Sequence, residues 1–410
     1  MNATIELFLA VLRAALGRER LAIYREIPAE EWHGLFRLAG IHKVLPLVYE
    51  TVYALPSLAK EPALLSAVKH QVRRQVIGQT MRTSEFLQLN DRLQAAGVKP
   101  LVVKGLICRD LYPRPDHRPS SDEDVLIPEA QFALCHRVLT TFGMATENQT
   151  NGYEVPYRKV GSPLYIELHK HLFPPESDAY GDMNRFFADV RQRAIAMQIQ
   201  GRTVFTLGHT DHLFYLICHA FKHFLHSGFG IRQVCDIVLY ANAHGKEVDW
   251  LQVLKNCQAI HAEKFAAALF RIGQNYLVFD PETAAYPPIW RQIRVDEVPM
   301  LKDLLMGGLY GDASMSRKHS SNITLDAVAA QKKGRKAKNA LVTSAFPPAA
   351  KLEGRYPYLK KHPYLLPVAW CSRLLQYGRE TRNSRENTAT DALRIGAERL
   401  ELLKHYDIVE

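Results

Sequence analysis

The sequence predicts an α+β fold in which a small mixed sheet is embedded in a mostly helical chain. Apolar residues recur at helical spacing over residues 1–97 and again from about residue 209. Between these stretches the spacing changes, and three short segments have the composition of β-strands. Two blocks of helices on either side of a few strands are typical of this fold class.

The predicted elements of the mixed segment follow one another along residues 98–172. Residues 98–103 ("VKPLVV") are rich in valine, residues 122–128 ("DEDVLIP") end in an apolar run closed by proline, and residues 162–172 ("SPLYIELHKHL") alternate in polarity. The stretch "GLICRDLY" after the first strand has helical character, and residues 129–143 have helical spacing and end in glycine. The predicted order is therefore strand, helix, strand, helix, strand.

We expect the chain to divide into five parts. These are a helical region at 1–97, a candidate catalytic core at 98–208, a helical domain at 209–310, a basic mobile loop at 311–345, and a proline- and tyrosine-rich, then helical, region at 346–410. The loop is predicted because it contains few large apolar side chains and carries the cluster "KKGRKAK". A phosphate-binding arm is the alternative interpretation of that cluster.

The charge balance favours partners that carry phosphate groups. The 410 residues include 52 lysines and arginines against 42 aspartates and glutamates, which gives a formal charge of +10. Such a surface attracts nucleotides, nucleic acid or an anionic membrane surface at modest ionic strength.

Cysteine usage and hydropathy bear on the compartment. The six cysteines are scattered without CxxC spacing, which favours free thiols in a reducing environment over a zinc site or a disulfide framework. The amino terminus lacks the features of a signal peptide, and no apolar run is long enough to span a bilayer. We therefore expect a cytoplasmic protein that does not insert into membranes.

Three acidic residues form a candidate metal site. Side chains alternate along a strand, so Asp122 and Asp124 should project from the same face. On the third predicted strand, Tyr165, Glu167 and His169 share the face opposite the apolar one. If the two strands are neighbours, Glu167 becomes a third carboxylate, and three acids at that distance require a cation. Hard oxygen ligands indicate Mg²⁺, with Mn²⁺ as a substitute.

Lys104, Gly105 and Arg118 form a candidate phosphate cradle. Gly105 follows a strand and opens a helix-like turn whose backbone N–H groups are not shielded by a side chain, while Lys104 and Arg118 supply positive charge. Arg118 has an alternative interpretation, a structural salt bridge with one of the two aspartates. His169 is equally consistent with a substrate or phosphate contact and with a polar strand edge.

Together these residues suit nucleotidyl transfer. In a two-metal mechanism, one Mg²⁺ holds a triphosphate, the other lowers the pKa of an acceptor hydroxyl, and in-line attack at the α-phosphorus expels pyrophosphate. Glu167 is the candidate that orients or deprotonates the hydroxyl. We expect ATP to be the nucleoside triphosphate, so that AMP is transferred. The acceptor, whether a small molecule, a protein or RNA, is not indicated by any spacing.

The sequence resembles the uncharacterised nucleotidyltransferase family of bacteria, a branch of the DNA polymerase β-like superfamily. The resemblance runs from roughly residue 10 to the end and is carried by "KG" after a strand, "LYP", "RPSSDEDVLIP", "IELHKHL", "ICHAFKHF", "IRQVCDIVLY" and "RYPYLKKHPYLLPVAWCSR". It implies a small nucleotidyltransferase sheet that carries an acidic pair and a third carboxylate, which map onto Asp122, Asp124 and Glu167.

Two positions depart from the pattern of these relatives. Lys104 and Gly105 stand where better-known members of the superfamily have a glycine-serine turn, and Leu106 offers no hydroxyl to the phosphate. Glu123 stands where family members usually have an apolar residue. We therefore expect its face of the strand to be partly exposed, or Glu123 to pair with a nearby cation.

Two pairs of residues on later predicted helices are spaced four apart. His219 and His223 lack a third metal ligand, so we expect them to pack against the catalytic core instead of binding a metal. Arg232 and Asp236 predict an intrahelical ion pair. The family pattern leaves a role in closing over the nucleotide as the alternative for this second pair.

Two other functions stay open. The missing serine is compatible with a catalytically silent protein that binds a nucleotide or another anion in the same pocket. The positive charge is compatible with an enzyme that adds nucleotides to an RNA 3′ end, such as that of tRNA. In that case the basic cluster would contact the RNA through Lys332, Lys333, Arg335, Lys336 and Lys338.

Overall fold

The computed structural model describes residues 2–22, 25–146, 152–306, 315–334, 348–352, 356–381 and 389–410. Its α-helices are α1 (Ala3–Gly17), α2 (Ala29–Ile41), α3 (Leu45–Val52), α4 (Pro62–Ala95), α5 (Gly105–Arg109), α6 (Phe132–Thr141), α7 (His209–Leu225), α8 (Ile231–His244), α9 (Trp250–Gln258), α10 (Glu263–Tyr276), α11 (Pro288–Arg291), α12 (Val298–Met306), α13 (Met315–Lys332), α14 (Ala349–Leu352), α15 (Leu366–Thr381) and α16 (Ala389–His405). Its strands are β1 (Leu101–Val103), β2 (Glu123–Leu126), β3 (Met144–Ala145), β4 (Glu154–Lys159), β5 (Tyr165–His169), β6 (Ile195–Ile199) and β7 (Arg202–Thr206). The strands lie between two blocks of helices, as the sequence predicts for an α+β protein.

Five strands of the described chain form one mixed sheet in the order β1-β2-β5-β4-β3. Strands β2 and β5 are parallel, whereas the other neighbouring strands are antiparallel. The register pairs Asp124 of β2 with Val103 of β1 on one side and with Glu167 of β5 on the other. The two strands that carry the predicted acids are therefore adjacent, and this adjacency was the condition for a third carboxylate.

The three predicted strands are present as β1, β2 and β5, and the predicted helix between the last two is present as α6. Strand β4 was not predicted, because Pro156 interrupts its sequence and a proline argues against an inner strand. Strand β3 pairs with β4 only at Lys159 and Arg158, so Pro156 lies beyond the paired part of that edge. A proline is tolerated there because no ladder hydrogen bond is lost.

Strands β1 and β2 are buried along their whole length. Helix α5 contacts both strands and also α8, and β1 contacts β7 of the separate β6-β7 hairpin. Cover of this kind explains why "LVV" at residues 101–103 and "VLI" at residues 125–127 are continuous apolar runs and do not alternate with polar residues. The short loop between β1 and α5 thus starts from a rigid, buried strand.

The described chain forms two compact units. One unit comprises residues 1–219 and 230–297, and the other comprises residues 220–229 and 298–410. The first unit therefore unites the N-terminal helices and the sheet with most of the helical segment that was expected to be a separate domain.

Helix α13 corrects the expectation of a loop over residues 311–345. The stretch Met315–Lys332 is helical and packs against α16, where Gly396 leaves room for the side chain of Ile323. Its buried face consists mainly of small residues such as Ser320, Thr324 and Ala327. A prediction that counts large apolar side chains misses a face of this kind. Residues 311–314 and 335–345 lie outside the described residues, as do three of the five cations of the basic cluster.

None of the helices in the described part of the chain combines the length and the hydropathy needed to cross a bilayer.

Candidate active site

Three side chains on two adjacent strands converge at one point of the sheet. Asp124 on β2 and Glu167 and His169 on β5 each offer a ligand atom, and these atoms all lie within 4.8 Å of one another. His169 Nε2 lies 3.2 Å from Asp124 Oδ1 and 3.6 Å from Glu167 Oε2. Asp124 and His169 are buried, whereas the Glu167 side chain is 25% exposed. The cluster therefore opens to solvent on the Glu167 side.

Lys104 supplies the counter-charge to this cluster. Its Nζ lies 2.6 Å from Asp124 Oδ2 and 3.2 Å from His219 Nε2. Burial would lower the pKa of Lys104, but the carboxylates of Asp124 and Asp122 outweigh burial and raise it above its ordinary value. The ammonium therefore stays charged against Asp124.

The protonation of the cluster follows from the same charges. Burial would raise the pKa of Asp124, yet Lys104 and His169 hold it well below its ordinary value. Burial would lower the pKa of His169, but its hydrogen bonds with Asp124 and Glu167 raise it to about 9. Burial raises the pKa of Glu167. The result is an ionised Asp124 held between two cations and a Glu167 more basic than a surface carboxylate.

Asp122 lies at the margin of this arrangement. It is half-buried, precedes β2, and its carboxylate raises the pKa of both Lys104 and Glu167. In the described chain, the third potential metal ligand beside Asp124 and Glu167 is His169. The sequence predicted Asp122 as that third ligand. Asp122 is near enough to act on the cluster through its charge.

Glu123 points to the opposite face of β2 and is completely buried. It forms an ion pair with Arg109 of α5, and its Oε1 lies 3.2 Å from Ser120 Oγ. Arg109 donates further hydrogen bonds to Ser120 Oγ at 2.7 Å and to Thr83 Oγ1 at 3.0 Å. Of the two expectations for Glu123, pairing with a cation is confirmed and exposure is wrong.

Gly105 is packed directly against this ion pair. A Cβ atom at Gly105 would overlap the Glu123 carboxylate, so the absence of a side chain is required for α5 to approach β2. Helix α5 has only five residues. A phosphate contact at this turn would therefore depend on Lys104 and on individual N–H groups, and not on a helix dipole.

Arg118 lies apart from the cluster, in a buried ion pair with Asp236 of α8. Its Nε and Nη2 donate to the two carboxylate oxygens at 3.0 and 2.6 Å, and the Tyr112 hydroxyl donates to the same carboxylate at 2.8 Å. Arg118 does form a structural salt bridge, but with Asp236 and not with the aspartates of β2. A direct phosphate contact is not expected of a guanidinium that is 1% exposed and bound to Asp236 through Nε and Nη2.

Arg232 and Asp236 do not form the intrahelical pair that their spacing predicts. Arg232 instead donates to the Pro119 carbonyl, and Asp236 accepts from Arg118. Both contacts hold the loop that leads into β2, because Arg118 and Pro119 belong to that loop. Spacing on a helix gives the pairs that are possible, and the tertiary neighbours decide between them.

The family is decided by a match to residues 28–277, more than half of the chain, with a family described as uncharacterised nucleotidyltransferase. The chain belongs to this family. The matched range includes the whole sheet, the cluster of Asp124, Glu167 and His169, and helix α8. The "RYPYLKKHPYLLPVAWCSR" motif, which also suggested the resemblance, lies beyond its end.

This nucleotidyltransferase family member also resembles two solved structures, but less closely than it matches the family. The solution structure of the antibiotic-resistance factor ANT(2'')-Ia matches with 12% identity and a TM-score of 0.32, over 45% of this chain and 96% of that one. An antigenic nucleotidyltransferase-like protein from Paracoccidioides brasiliensis matches with 14% identity and a TM-score of 0.31, over 51% and 96%. No curated protein matches the chain.

Two histidines contact Lys104 in this family member. The sequence analysis did not predict His212, and for His219 it predicted only packing against the core. His212 and His219 lie seven residues apart on α7, and both contact Lys104, one at the backbone and one at the ammonium. The expectation that His219 packs against the core agrees with its contact. The available signal was three polar rings at helical spacing, at positions 212, 215 and 219, with apolar residues between them.

Proposed function

We propose that this protein transfers a nucleoside monophosphate from a nucleoside triphosphate to a hydroxyl acceptor and releases pyrophosphate. The observation that carries the proposal is the convergence of Asp124, Glu167 and His169 beside the Lys104 ammonium, at an edge that opens to solvent. ATP is the donor we favour, with AMP as the transferred group. The acceptor is a small molecule, a protein or RNA.

The donor set at the cluster fits a divalent cation. Two carboxylates and one imidazole supply hard oxygen atoms and one nitrogen, a combination that accommodates Mg²⁺ and suits Mn²⁺ better. Asp124, Glu167 and His169 would hold the cation once His169 has released its proton, and Asp122 would add a third carboxylate charge nearby. When bound, the cation neutralises charge on the triphosphate and lowers the pKa of the acceptor hydroxyl.

The side chains have distinct roles in this proposal. Lys104 neutralises a phosphate oxygen, because its ammonium is charged and lies at the edge of the cluster. Glu167, whose pKa burial raises, accepts the proton of the acceptor hydroxyl. The hydroxyl oxygen then forms a bond to the α-phosphorus while the bond to pyrophosphate breaks. Arg118 and Asp236 support the loop before β2 and do not contact the nucleotide.

A catalytically silent nucleotide-binding protein is the second candidate. The observation in its favour is that Lys104 already neutralises Asp124 without a metal, at a turn that lacks the serine of better-known relatives. Such a protein would bind ATP and leave it intact.

Pyrophosphate release from each of the four ribonucleoside triphosphates, with Mg²⁺ or Mn²⁺ and a cell extract as the source of acceptor, tests the proposal. Glu167→Gln should lower the rate about 100-fold or more, because a positioned base contributes at least that factor. The matched control is Glu176→Gln, an exposed glutamate whose loss should leave the rate unchanged. ATP binding without any release above the Glu167→Gln background would favour the silent protein.

A further inference from the structure

Lys104 has a backbone conformation that a residue with a Cβ atom rarely adopts. Its φ of 60° and ψ of −96° lie outside the left-handed helical region, where most non-glycine residues of positive φ are found. Conformations of this kind persist only when the surroundings hold them in place. Lys104 is also the residue whose ammonium lies against Asp124, so the turn and the candidate site depend on one another.

The backbone N–H of Lys104 is bound by a buried imidazole. It donates to His212 Nε2 at 3.2 Å, and His212 Nδ1 lies 3.1 Å from Thr206 Oγ1. The Thr206 hydroxyl donates its single proton to the Val102 carbonyl at 2.6 Å, so it accepts from Nδ1–H. The neutral His212 ring therefore carries its proton on Nδ1 and offers a lone pair to Lys104.

The surroundings of His212 favour this neutral form. The side chain is 0% exposed, and burial lowers the pKa of His212 to about 3, with His209 and His244 adding to the effect. A buried imidazole costs desolvation free energy unless its two nitrogens are satisfied. An apolar side chain would fill the same space without that cost, so the hydrogen bond to Lys104 is what the imidazole contributes.

We propose that His212 is a positioning residue that fixes the Lys104 turn and thereby places the Lys104 ammonium at the nucleotide site. His212 and His219, on the same helix, then hold the two ends of Lys104, its N–H and its Nζ. The part of this inference that concerns the nucleotide rests on the proposed function. The part that concerns the turn does not.

Hydrogen exchange at single-residue resolution tests the turn without any assay of activity. In His212→Leu the Lys104 amide should lose its protection, whereas the Cys108 amide, which donates to the Lys104 carbonyl at 2.7 Å, should keep it. His212→Gln places an amide oxygen close to the position of Nε2 and should restore most of the protection. Equal protection of Lys104 in wild type and His212→Leu would overturn the proposal.

Binding of ATP with Mn²⁺, measured by calorimetry, tests the consequence at the site. His212→Leu and Lys104→Met should each weaken binding about tenfold or more, and the double variant should be no weaker than Lys104→Met alone, since both changes act through one ammonium. His33→Leu, at an exposed histidine of α2 outside this chain of hydrogen bonds, is the control and should bind as wild type does. Additive losses in the double variant would overturn the positioning role.

Two further outcomes are separable. If wild type does not bind ATP, the proposed function fails, and the exchange of the Lys104 amide still decides the role of His212. If His212→Leu does not fold, Thr206→Val removes the group that orients the ring and should increase Lys104 exchange while His212 is retained. Unchanged exchange of the Lys104 amide in Thr206→Val and in His212→Asn, whose side chain is one methylene shorter than that of His212→Gln, would overturn the proposal.

Discussion

At the scale of single residues, the site combines the carboxylates of Asp124 and Glu167 with two cationic side chains, those of Lys104 and His169. Asp124 lies between Lys104 and His169, and Glu167 is more exposed to solvent than Asp124. A buried charge that loses its partner costs several kcal/mol, so each member of this group stabilises the others. A divalent cation and the Lys104 ammonium compete for the same carboxylate.

Replacement of Lys104 tests that competition. Lys104→Met should lower the melting temperature of the metal-free protein, because Asp124 loses one of its two cations, and should weaken ATP binding by about 10- to 100-fold. Mn²⁺ should then raise the melting temperature of the variant more than that of wild type, since the metal takes over the charge of the ammonium. The control is Lys99→Met, at an exposed position of the segment that precedes β1. A variant that is indifferent to Mn²⁺ would contradict this account of Asp124.

At this scale the sequence predicts the candidate side chains of the site and does not predict the residues that contact Lys104 and Arg118. Strand alternation predicts which side chains share a face of each strand, Asp122 with Asp124 and Glu167 with His169, because a period of two is a local property of the backbone. The partner of Arg118 is a helix residue more than 100 positions later, and the acceptor for the Lys104 N–H is equally remote. Such pairs depend on which elements meet, and one sequence does not contain that information.

At the scale of elements, two ion pairs hold strand β2 and the loop that precedes it. Asp236 of α8 binds Arg118 on one side, and Arg109 of α5 binds Glu123 on the other. Both ion pairs are buried, and neither contacts the cluster directly. The position of Asp124 therefore depends on helices α5 and α8 as well as on the sheet.

The Arg118–Asp236 pair predicts a pH dependence of stability. Burial would raise the pKa of Asp236, but Arg118 lowers it below the ordinary value of 3.8. Because the folded pKa is depressed, the stabilisation is fully present above the unfolded pKa and is lost as the pH falls through the folded one. Asp236→Asn should lower the free energy of unfolding by about 3 to 5 kcal/mol near neutral pH, since it leaves Arg118 buried and unpaired.

Urea unfolding of wild type and Asp236→Asn from pH 7 to pH 3 measures this difference. The gap between the two proteins should narrow only below about pH 4, where the unfolded wild-type carboxyl begins to take up a proton. A gap that closes between pH 7 and pH 5 would assign the effect to another group.

Replacement of two glycines by alanine should have opposite effects on stability, because Gly105 lies at the contact between α5 and β2 and Gly78 lies in open space on α4. Gly105→Ala should destabilise the protein by about 1 to 3 kcal/mol, because the new methyl group meets the buried Glu123 carboxylate. Gly78→Ala, in the middle of α4 with no neighbour within 4 Å, should stabilise it by about 0.5 to 1 kcal/mol. Thermal unfolding of both variants is the measurement. Stabilisation by Gly105→Ala would show that α5 and β2 are not in close contact.

Element prediction succeeded where the local pattern agreed with the tertiary setting. Strands β1, β2 and β5 and helix α6 were recognised from period and composition. Strand β4 was missed because its proline is acceptable only next to the two-residue strand β3, and α13 was missed because its buried face is built from small residues. In both cases the segment is stable only because of the element packed beside it, which is β3 for β4 and α16 for α13.

At the scale of the whole molecule, the family match and the site coincide. Residues 28–277 contain the sheet, the acidic cluster and the helix residues that contact Lys104 and Arg118. These contacts are made by His212, His219 and Asp236, all of which lie within the first compact unit. The formal charge of +10 favours a phosphate-bearing substrate but does not select between a nucleotide and RNA. What distinguishes this protein within the proposed chemistry is its acceptor, which is recognised by residues that no local spacing identifies.

The measurement that tests the central claim most directly is transfer of label from ATP to material in a cell extract, with the α-phosphate labelled in one reaction and the γ-phosphate in the other. The account predicts that acceptor becomes labelled from the α-position only, in wild type and Glu176→Gln but not in Asp124→Asn or Glu167→Gln. Labelling from the γ-position, or α-labelling that survives both substitutions in the cluster, would contradict it.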